Sequence, residues 1–555
     1  MEAIVIGTAL AAGVLSHVAY FRIGEHHLYG TRYVFAAVVA LAMSTLAHSY
    51  LLQTPVPVSV FKSLSLGIYY LGGLYASLVV YRIFFHPLRH FSGPLYCRIS
   101  SVWFATYLQK HDAFRQLRKL HQTHGSFLRI GSNDLSISHP KAVQAIYGLG
   151  TQCRKADFYD LTYPMISLQS TRDGSIHGQR RRVWSTAFGD KNLRAYEKRM
   201  ENYRVLLVNA IEQSGGRPMD VAKWFNLYSF DVMGDLAFGT SFKMLETSKE
   251  HSAIKLLTSG LEGLSYKLPM WFFRIMTSIP ALTRDWWGFI GYCVGQLENR
   301  MKKKVDTPDI MTVLLKSTED HDLTKLERTL LEGDAQLIVV AGSDTTSTTL
   351  TTVFRFLAQY PHHVGLLRAE LDGLPRTELG NYVPSDLANL PHLNGIINES
   401  LRLFPPVATS LPRLTPPEGL NIEGIFVPGN VTVICPQYVL GRNPECYAYP
   451  DDFIPERWYS RPELLRDVSG FAPFSVGHYG CIGKPLALLN LRATICRIIA
   501  DYDIKPTARE ILKEYDESMA EHFTLVPSPL KLSFTNREVS GPTNNVNGQS
   551  VPSCD

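Results

Sequence analysis

The chain has 555 residues, of which 45% are hydrophobic and 19% charged, and its formal net charge is +5. This composition excludes an intrinsically disordered protein, and the small positive charge excludes the dense basic surface of a nucleic-acid-binding protein. Its eight cysteines are scattered without C-x-x-C spacing, which favours reduced thiols over a disulfide scaffold.

Three nearly uncharged segments lie within the first ninety residues, at 3–21, 33–52 and 63–81. Each is close to the roughly 20 residues that a membrane-spanning helix needs. The first lacks the basic flank of a signal peptide, since Glu2 precedes it. The sequence therefore predicts a membrane anchor over 1–89 with about three transmembrane helices. One or two spans with an interfacial helix are the alternative.

Basic residues beside these spans predict the orientation of the anchor. Those between the first and second spans and after the third are Arg22, Arg32, Arg82 and Arg89. Only Lys62 lies between the second and third spans. The positive-inside rule therefore places the N-terminus in the lumen and the rest of the chain in the cytosol.

A hinge is predicted where the anchor ends, because 85–94 contains two prolines and a glycine among apolar and basic residues. No repeat or low-complexity linker follows, so 90–536 is interpreted as one large domain. The polar tail 537–555 lacks apolar periodicity and is predicted to be disordered.

A helix of unusual composition is predicted from Leu337 onward. Its apolar run gives way to G-S-D-T-T at 342–346 and to further hydroxyl residues up to Thr352. Gly costs about 1 kcal/mol relative to Ala in a helix, and Thr is stiff at its β-carbon. These residues indicate a helix shaped for a purpose other than stability, with a Thr-rich solvent face as the alternative.

The most informative segment is F-S-V-G-H-Y-G-C-I-G-K-P-L-A at 474–487. Glycines on both sides of Cys481 remove side-chain bulk and permit unusual backbone angles. The apolar run 486–499 predicts a buried helix whose first amides face the sulfur and stabilise a thiolate. An ordinary buried cysteine between glycines is the alternative.

This F-x-x-G-x-x-x-C-x-G pattern resembles the haem loop of the cytochrome P450 family, and the resemblance extends over the chain after the anchor. It implies a mainly α fold with small β-sheets (α+β), preceded here by transmembrane helices. It also implies haem b with Cys481 as the axial metal ligand, Phe474 beside the sulfur, and Gly477 and Gly483 shaping the loop.

The A-G-S-D-T-T sequence is similar to the motif in the family's helix over the distal haem face. This resemblance implies that Asp344 and Thr345 form a proton relay for the cleavage of dioxygen. Heterolytic O–O cleavage needs delivered protons, which agrees with an acid and a hydroxyl at this place. Ala341 and Gly342 are expected to leave room for O2 and substrate.

An E-x-x-R pair also matches the family. The spacing recurs at 463–466, so the pattern alone is weak. Only the first copy ends an apolar helix, and P-E-R-W follows downstream. The resemblance implies a buried three-residue network of Glu399, Arg402 and Arg457.

Haem propionates need cationic partners. A segment resembling the family's W-x-x-x-R helix implies His177 and Arg181, and an arginine before a strand implies Arg413. Tyr479 departs from the family pattern, which has Arg or His there, because a phenol donates a hydrogen bond but adds no charge. Other basic side chains are expected to point outward and to dock an acidic flavoprotein; they are Arg180, Arg182, Lys484, Arg492 and Arg497.

Substrate contacts in this family come from four segments, here 158–175, 340–345, 407–411 and 523–526. They are mostly apolar with hydroxyls interspersed, which suits a lipophilic molecule. The expected pocket residues are Ala341, Gly342, Val407, Leu411 and Phe523.

With its H-x-x-x-R variant at 177–181 and the I-G-K-P-L-A ending of the cysteine loop, the sequence resembles filamentous-fungal secondary-metabolite hydroxylases. This implies a monooxygenase of the endoplasmic reticulum membrane that hydroxylates or epoxidises a lipophilic small molecule with O2. NADPH would act only through a redox partner, NADPH–cytochrome P450 reductase with cytochrome b5 as a further candidate, because the chain has no flavin or nucleotide motif. The alternatives are a haem-thiolate isomerase or dehydratase that needs no reductase, and a non-catalytic membrane binding protein.

Overall fold

The computed structural model describes residues 2–107, 111–303, 308–318, 321–409 and 411–537. The predicted disordered tail lies outside the described residues, except for Arg537. The described residues are mainly helical with small β-sheets, so the predicted fold class is confirmed.

The α-helices are numbered in chain order. They are α1 Glu2–Ser16, α2 Gly30–Leu51, α3 Val56–Val80, α4 Leu95–Ile99, α5 Val102–Tyr107, α6 Ala113–His124, α7 Pro140–Tyr147, α8 Gly174–Ala187, α9 Asp190–Ser214, α10 Val221–Phe238, α11 Met244–Thr247, α12 Ser252–Glu262, α13 Met270–Met276, α14 Pro280–Lys302, α15 Ile310–Lys316, α16 Lys325–Gln359, α17 Pro361–Leu371, α18 Pro384–Leu387, α19 Pro391–Leu403, α20 Gln437–Leu440, α21 Lys484–Asp501 and α22 Glu510–Ser518.

Among the described residues, the strands form four small sheets. They are β1 Phe127–Arg129, β2 Asp134–Ile137, β3 Arg154–Lys155, β4 Met219–Asp220, β5 Arg413–Leu414, β6 Leu420–Ile422, β7 Ile425–Val427, β8 Thr432–Ile434, β9 Tyr502–Pro506, β10 Ala520–Glu521, β11 Leu525–Val526 and β12 Lys531–Asn536. The largest sheet has the order β1-β2-β8-β5-β3, in which only β2 and β8 are parallel. Its β3–β5 pair places Lys155 directly opposite Arg413.

Within the part of the chain that the structure describes, three helical segments are long and apolar enough to cross a membrane, namely Ala3–Phe21, His27–Leu51 and Val56–Phe85. The second and third begin earlier than the predicted 33 and 63, because the helices continue through Arg32 and Lys62, the charged residues at which the predicted segments stop. α1 and α3 cross in backbone contact, since a Cβ on Gly13 would lie 2.0 Å from the Tyr70 carbonyl oxygen. Small residues permit this close approach between membrane helices.

The predicted hinge is ordered. The third apolar segment ends at Phe85, and Pro87–His90 forms a 3₁₀ turn in which the His86 side chain accepts a hydrogen bond from the Leu88 amide. Leu88 is fully buried in the body of the protein. The prolines therefore end the membrane helix, and the turn is anchored by packing.

The core of the large domain is organised around α16, against which α10, α19 and α21 pack. Glycines set two close approaches to this helix. A Cβ on Gly333 would lie 2.1 Å from the Ile166 carbonyl oxygen, and one on Gly342 would lie 2.5 Å from Met233 Cε of α10. Gly342 was predicted to leave room for O2 and substrate, and it therefore also permits the close packing of α10 against α16.

Candidate active site

A cavity of about 390 Å³ lies within the domain, between α8, α10, α16 and the loop before α21. Its wall is mostly apolar. Nearly all of the predicted cofactor, catalytic and pocket residues line it, namely Phe474, Tyr479, Cys481, Gly483, His177, Arg181, Arg413, Asp344, Thr345, Ala341, Gly342, Val407, Leu411 and Phe523. Gly477 lies in the adjoining loop.

The cysteine loop is held by its own backbone. The Cys481 amide donates to the Phe474 carbonyl oxygen at 2.8 Å. Gly477 has a φ of +67°, and a Cβ there would lie 2.2 Å from the Tyr147 carbonyl oxygen, so only glycine fits. Gly483, the residue directly before α21, has ordinary right-handed backbone angles, so its role in the loop does not depend on unusual angles.

Cys481 lies three residues before the first residue of α21, and its side chain is open to the cavity. Burial raises the pKa of its thiol, whereas amide hydrogen bonds from Gly483 and Lys484 and the Arg181 charge lower it. The predicted helix at 486–499 is present, slightly longer, as α21. Helix amides and a nearby guanidinium are the groups that stabilise a thiolate.

The acid and alcohol of α16 line the same cavity as this sulfur. Burial raises the pKa of Asp344 to about 7, so its carboxyl group can hold or release a proton near neutral pH. Thr345 Oγ1 donates to the Ala341 carbonyl oxygen at 2.7 Å, which leaves the hydroxyl oxygen free to accept a hydrogen bond.

One end of the cavity is basic. Arg181 donates to the Gly480 carbonyl oxygen at 2.8 Å, and the Arg413 guanidinium lies 5.0 Å from the centre of the Tyr479 ring. Burial and the neighbouring cations lower the pKa of His177 to about 3, so this imidazole is neutral. The Nδ1 atom of His177 and the Nε atom of Arg413 are both buried, and neither has a hydrogen-bond partner among the described residues.

Lys155 belongs to this basic end and was missed by the sequence analysis. Its Nζ lies 4.9 Å from the centre of the Tyr479 ring, and burial, reinforced by Arg413 and Arg181, lowers its pKa to about 6. The clue was the pair of adjacent basic residues, Arg154 and Lys155, which together form β3. The pairing of β3 with β5 was needed to show that Lys155 faces Arg413.

Like charges opposite each other in a sheet are destabilising. Asp344 is the only acidic side chain among the described residues that line the cavity, so none of the protein's carboxylates neutralises the basic end. The orphaned Nε of Arg413 and the opposed Lys155 fit a ligand that brings its own carboxylates. The two propionates of haem would meet this requirement, and Cys481 would supply the thiolate.

The predicted buried network is assembled. Arg402 donates to both carboxylate oxygens of Glu399 at 2.9 and 2.7 Å, and Arg457 donates to one at 2.9 Å. The sequence analysis missed a fourth member, Trp458, whose Nε1 donates to Glu399 at 2.9 Å. All three charged side chains are fully buried, which requires such complete pairing.

Two of the basic residues expected to point outward do not. Arg180 is buried and pairs with Asp334 at 2.6 Å, because the acid is fully buried in α16 and needs a counter-charge. Arg497 is paired with Asp501 one turn further along α21. Arg182 and Lys484 are exposed as expected, and Arg492 is half-buried.

The predicted pocket residues lie on the apolar wall. Phe523 stacks on Phe158 with ring centres 5.6 Å apart, and both contact the cavity with Val407 and Leu411. The four predicted substrate segments therefore converge on one space. Its size suits a small-molecule ligand.

Three features of the cavity define the class of a haem-thiolate oxygenase. They are the Cys481 sulfur, the Asp344–Thr345 pair of α16, and a basic end that, among the described residues, has no carboxylate of its own. The comparisons agree with this class. The family model for cytochrome P450 matches residues 91–534, so the chain belongs to the cytochrome P450 family. It is an oxidoreductase of the monooxygenase type.

Similar proteins come from filamentous fungi. The chain is 44% identical to a tryprostatin B 6-hydroxylase of Aspergillus fumigatus, over 96% of each chain. It is 43% identical to the tryprostatin B 6-hydroxylase of Neosartorya fischeri, over 96% of this chain and 98% of that one. It is also 43% identical to the cytochrome P450 monooxygenase notG' of Aspergillus versicolor, over 95% of this chain and 97% of that one. The predicted resemblance to fungal hydroxylases is confirmed.

Proposed function

We propose that the protein is a haem-thiolate monooxygenase that inserts one oxygen atom of O2 into a lipophilic small molecule by hydroxylation or epoxidation. The observation that carries this proposal is the meeting, in one apolar cavity, of Cys481 with Asp344 and Thr345. Bound haem supplies the activation of O2, with the thiolate donating electron density to the iron.

In this proposal the residues of the chain bind the cofactor, deliver a proton and orient the substrate. Cys481 holds the cofactor from one side, and the amides of Gly483 and Lys484 tune the basicity of its sulfur. Asp344 holds a proton that Thr345 can relay across the cavity. The apolar wall orients the substrate and excludes water that would release reduced oxygen species.

The substrate is proposed to be a prenylated indole alkaloid or a related secondary metabolite. Support comes from the two relatives named tryprostatin B 6-hydroxylase and from the aromatic pair Phe158 and Phe523, which can stack against an indole ring. Terpenoid and polyketide substrates are the alternatives.

A spectrum of the reduced, CO-bound protein tests the thiolate. The strongly red-shifted Soret band of thiolate ligation is expected, and Cys481→Ala should abolish it. Cys293→Ala, which removes a buried thiol in α14, serves as the control and should retain the band. A protein that binds no haem would overturn the proposal.

Turnover separates a monooxygenase from the second candidate, an isomerase or dehydratase. Tryprostatin B is the probe substrate, with NADPH, added reductase and ¹⁸O₂. Incorporation of one labelled oxygen per product supports the proposal. Product formed without NADPH would favour the isomerase, although such chemistry gives no role to the Asp344–Thr345 pair.

We propose a multi-pass location in the endoplasmic reticulum membrane, with the N-terminus in the lumen and the catalytic domain in the cytosol. Three apolar helices and the basic residues that flank them support this orientation. NADPH–cytochrome P450 reductase, with cytochrome b5 as a further candidate, is the proposed electron donor. Lys484→Glu should slow reductase-dependent turnover at low salt, because this exposed lysine lies on the thiolate side.

A further inference from the structure

The loop between the first two membrane helices, α1 and α2, contacts the catalytic domain through charged side chains. Its last residues, His27–Tyr29, form a 3₁₀ turn that leads into α2. His27 Nε2 lies 2.8 Å from Asp160 Oδ2, and Arg172 donates to the same oxygen at 2.6 Å. Arg172 also pairs with Glu25 at 2.7 Å. Two residues of the anchor, Glu25 and His27, are therefore joined to two residues of the catalytic domain in one continuous cluster.

An apolar contact lies beside this cluster. A Cβ on Gly30, the first residue of α2, would lie 2.9 Å from the Ile275 side chain in α13. From the same helix, Arg274 donates to the Tyr163 carbonyl oxygen at 2.8 Å. The anchor and α13 thus hold one stretch of backbone, 157–163, from two sides.

This stretch forms part of the cavity wall. Phe158, Tyr159, Leu161 and Thr162 all line the cavity, whereas Asp160, which lies between them, faces the anchor. A short 3₁₀ turn, Asp157–Asp160, is its only helical structure among the described residues. A short irregular segment has few hydrogen bonds of its own, so outside contacts decide how far it moves.

The Asp160 pairing is partly shielded from solvent, which gives it strength. Asp160 is 16% exposed and His27 7% exposed. Burial raises the pKa of Asp160, but hydrogen bonds from His27 and Arg172 outweigh it and hold the pKa below its usual range. Charged pairs of this kind are screened less by salt than surface pairs.

The topology of the anchor supports the contact independently. The guanidinium of Arg22, at the end of the first span, lies 5.5 Å from the centre of the Tyr81 ring at the end of the third. Both ends therefore lie on the side of the membrane that carries the catalytic domain. The positive-inside rule places residues 22–32 on that same side.

We propose that the loop between the first two membrane helices is a working part of the ligand entrance, in which Glu25 and His27 clamp segment 157–163 through Asp160 and Arg172. In addition to tethering the enzyme to the membrane, the anchor then controls how often segment 157–163 of the cavity wall moves aside to admit a lipophilic ligand. This inference rests on the proposed haem-containing pocket for its kinetic test.

The test uses the full-length chain in phosphatidylcholine nanodiscs and the probe 4-phenylimidazole, whose ring nitrogen shifts the Soret band when it binds haem iron. Asp160→Asn should raise the association and dissociation rates by about three- to tenfold, the effect of losing a partly buried ion pair, with an unchanged CO spectrum. Asp235→Asn is the matched control. Asp235 pairs with Arg199 at 2.6 Å with nearly the same exposure, but it lies in α10, outside segment 157–163.

Hydrogen exchange of peptides covering 157–163 gives a second readout that needs neither haem nor substrate. Exchange should increase in Asp160→Asn and, by less, in Glu25→Gln. The control Glu298→Gln removes an exposed carboxylate that also pairs with an arginine at 2.7 Å, and it should change nothing. If Asp160→Asn misfolds, Glu25→Gln decides the question.

The outcomes separate this inference from the proposed function. Unchanged probe kinetics and unchanged exchange in both variants, with a normal CO spectrum, would overturn the clamp and leave the enzyme intact. A wild-type protein without the CO spectrum would overturn the proposed function, while the exchange measurement would still decide whether the anchor holds the segment.

Discussion

Trp458 offers the most direct test of the buried carboxylate network. Its Nε1 donates to Glu399 at 2.9 Å, and Trp458→Phe removes this donor while keeping a ring to pack against Phe471. Glu399 keeps its bonds to Arg402 and Arg457. A hydrogen bond to a buried charge contributes about 1.5–3 kcal/mol, so the free energy of unfolding should fall by about that amount, or about ten- to hundredfold in the equilibrium constant.

The assay follows loss of the CO-bound Soret band in urea, or its half-life at one elevated temperature if unfolding is irreversible. Trp287→Phe is the control, since that indole is 46% exposed. Glu399→Gln should cost more than Trp458→Phe, because it leaves two buried guanidinium groups without their carboxylate. If Trp458→Phe is as stable as the wild type, the reasoning that assigns the indole a share in the network is refuted.

Three further outcomes are expected. Thr345→Ala should continue to consume NADPH while product falls and peroxide rises, as measured by coupling assays; unchanged coupling would place the proton relay elsewhere. Since burial raises the Asp344 pKa to about 7 in the folded state, the free energy of unfolding should fall as pH rises from about 4 to 7, and Asp344→Asn should remove this fall in pH-dependent denaturation. Gly477→Ala should lower haem content per chain, because its Cβ would clash with the Tyr147 carbonyl oxygen; normal content would show that the loop can shift.

The sequence predicted best those elements in which the spacing of residues within one loop or helix already brings the functional groups together. The cysteine loop places a thiol before a helix, and 342–346 places an acid and an alcohol on one turn, so both could be assigned before any contact was known. The same holds for Glu399 and Arg402, whose i, i+3 spacing already puts them on one helical face. Local geometry is sufficient in each of these cases.

Contacts between distant segments could not be predicted in this way. Arg180 was expected to be exposed, because nothing in its own helix shows that Asp334, 154 residues further along, is buried beside it. Trp458 was only the last residue of the P-E-R-W segment until the fold brought its indole to Glu399. The pairing of Glu25 with Arg172 joins two regions that sequence patterns treat as separate.

Tyr479 posed a question that the fold resolves. The family pattern has a cation at this position, and here a phenol replaces it. Lys155 Nζ and the Arg413 guanidinium lie 4.9 and 5.0 Å from the centre of the Tyr479 ring. Two ligand carboxylates at this end would raise the pKa of Lys155 again, so β3 would supply the missing charge when the cofactor is bound. The aromatic ring packs against both basic side chains, an arrangement that stabilises cations in a partly desolvated site.

With carboxylates bound beside it, Lys155 would act through its charge rather than by a hydrogen bond to the cofactor. Its three protons are used by three carbonyl oxygens, those of Leu168, Gln169 and Thr171, at 3.1, 2.5 and 3.0 Å. Lys155→Gln removes the charge and keeps an amide donor for these carbonyls. Haem transfer to apomyoglobin should then be faster by about tenfold, since a buried cation near two carboxylates contributes on the order of 1–2 kcal/mol at an effective dielectric constant near 20.

Arg154→Gln is the control for this prediction, because Arg154 precedes Lys155 in the same strand but is exposed. Its haem transfer rate should equal that of the wild type. The free energy of unfolding of the haem-free protein separates charge from structure. If Lys155→Gln loses haem faster while the haem-free protein keeps its stability, the lysine stabilises the cofactor. If only the haem-free protein is weakened, Lys155 is a structural tie for segment 168–171 and Tyr479 has no cationic substitute.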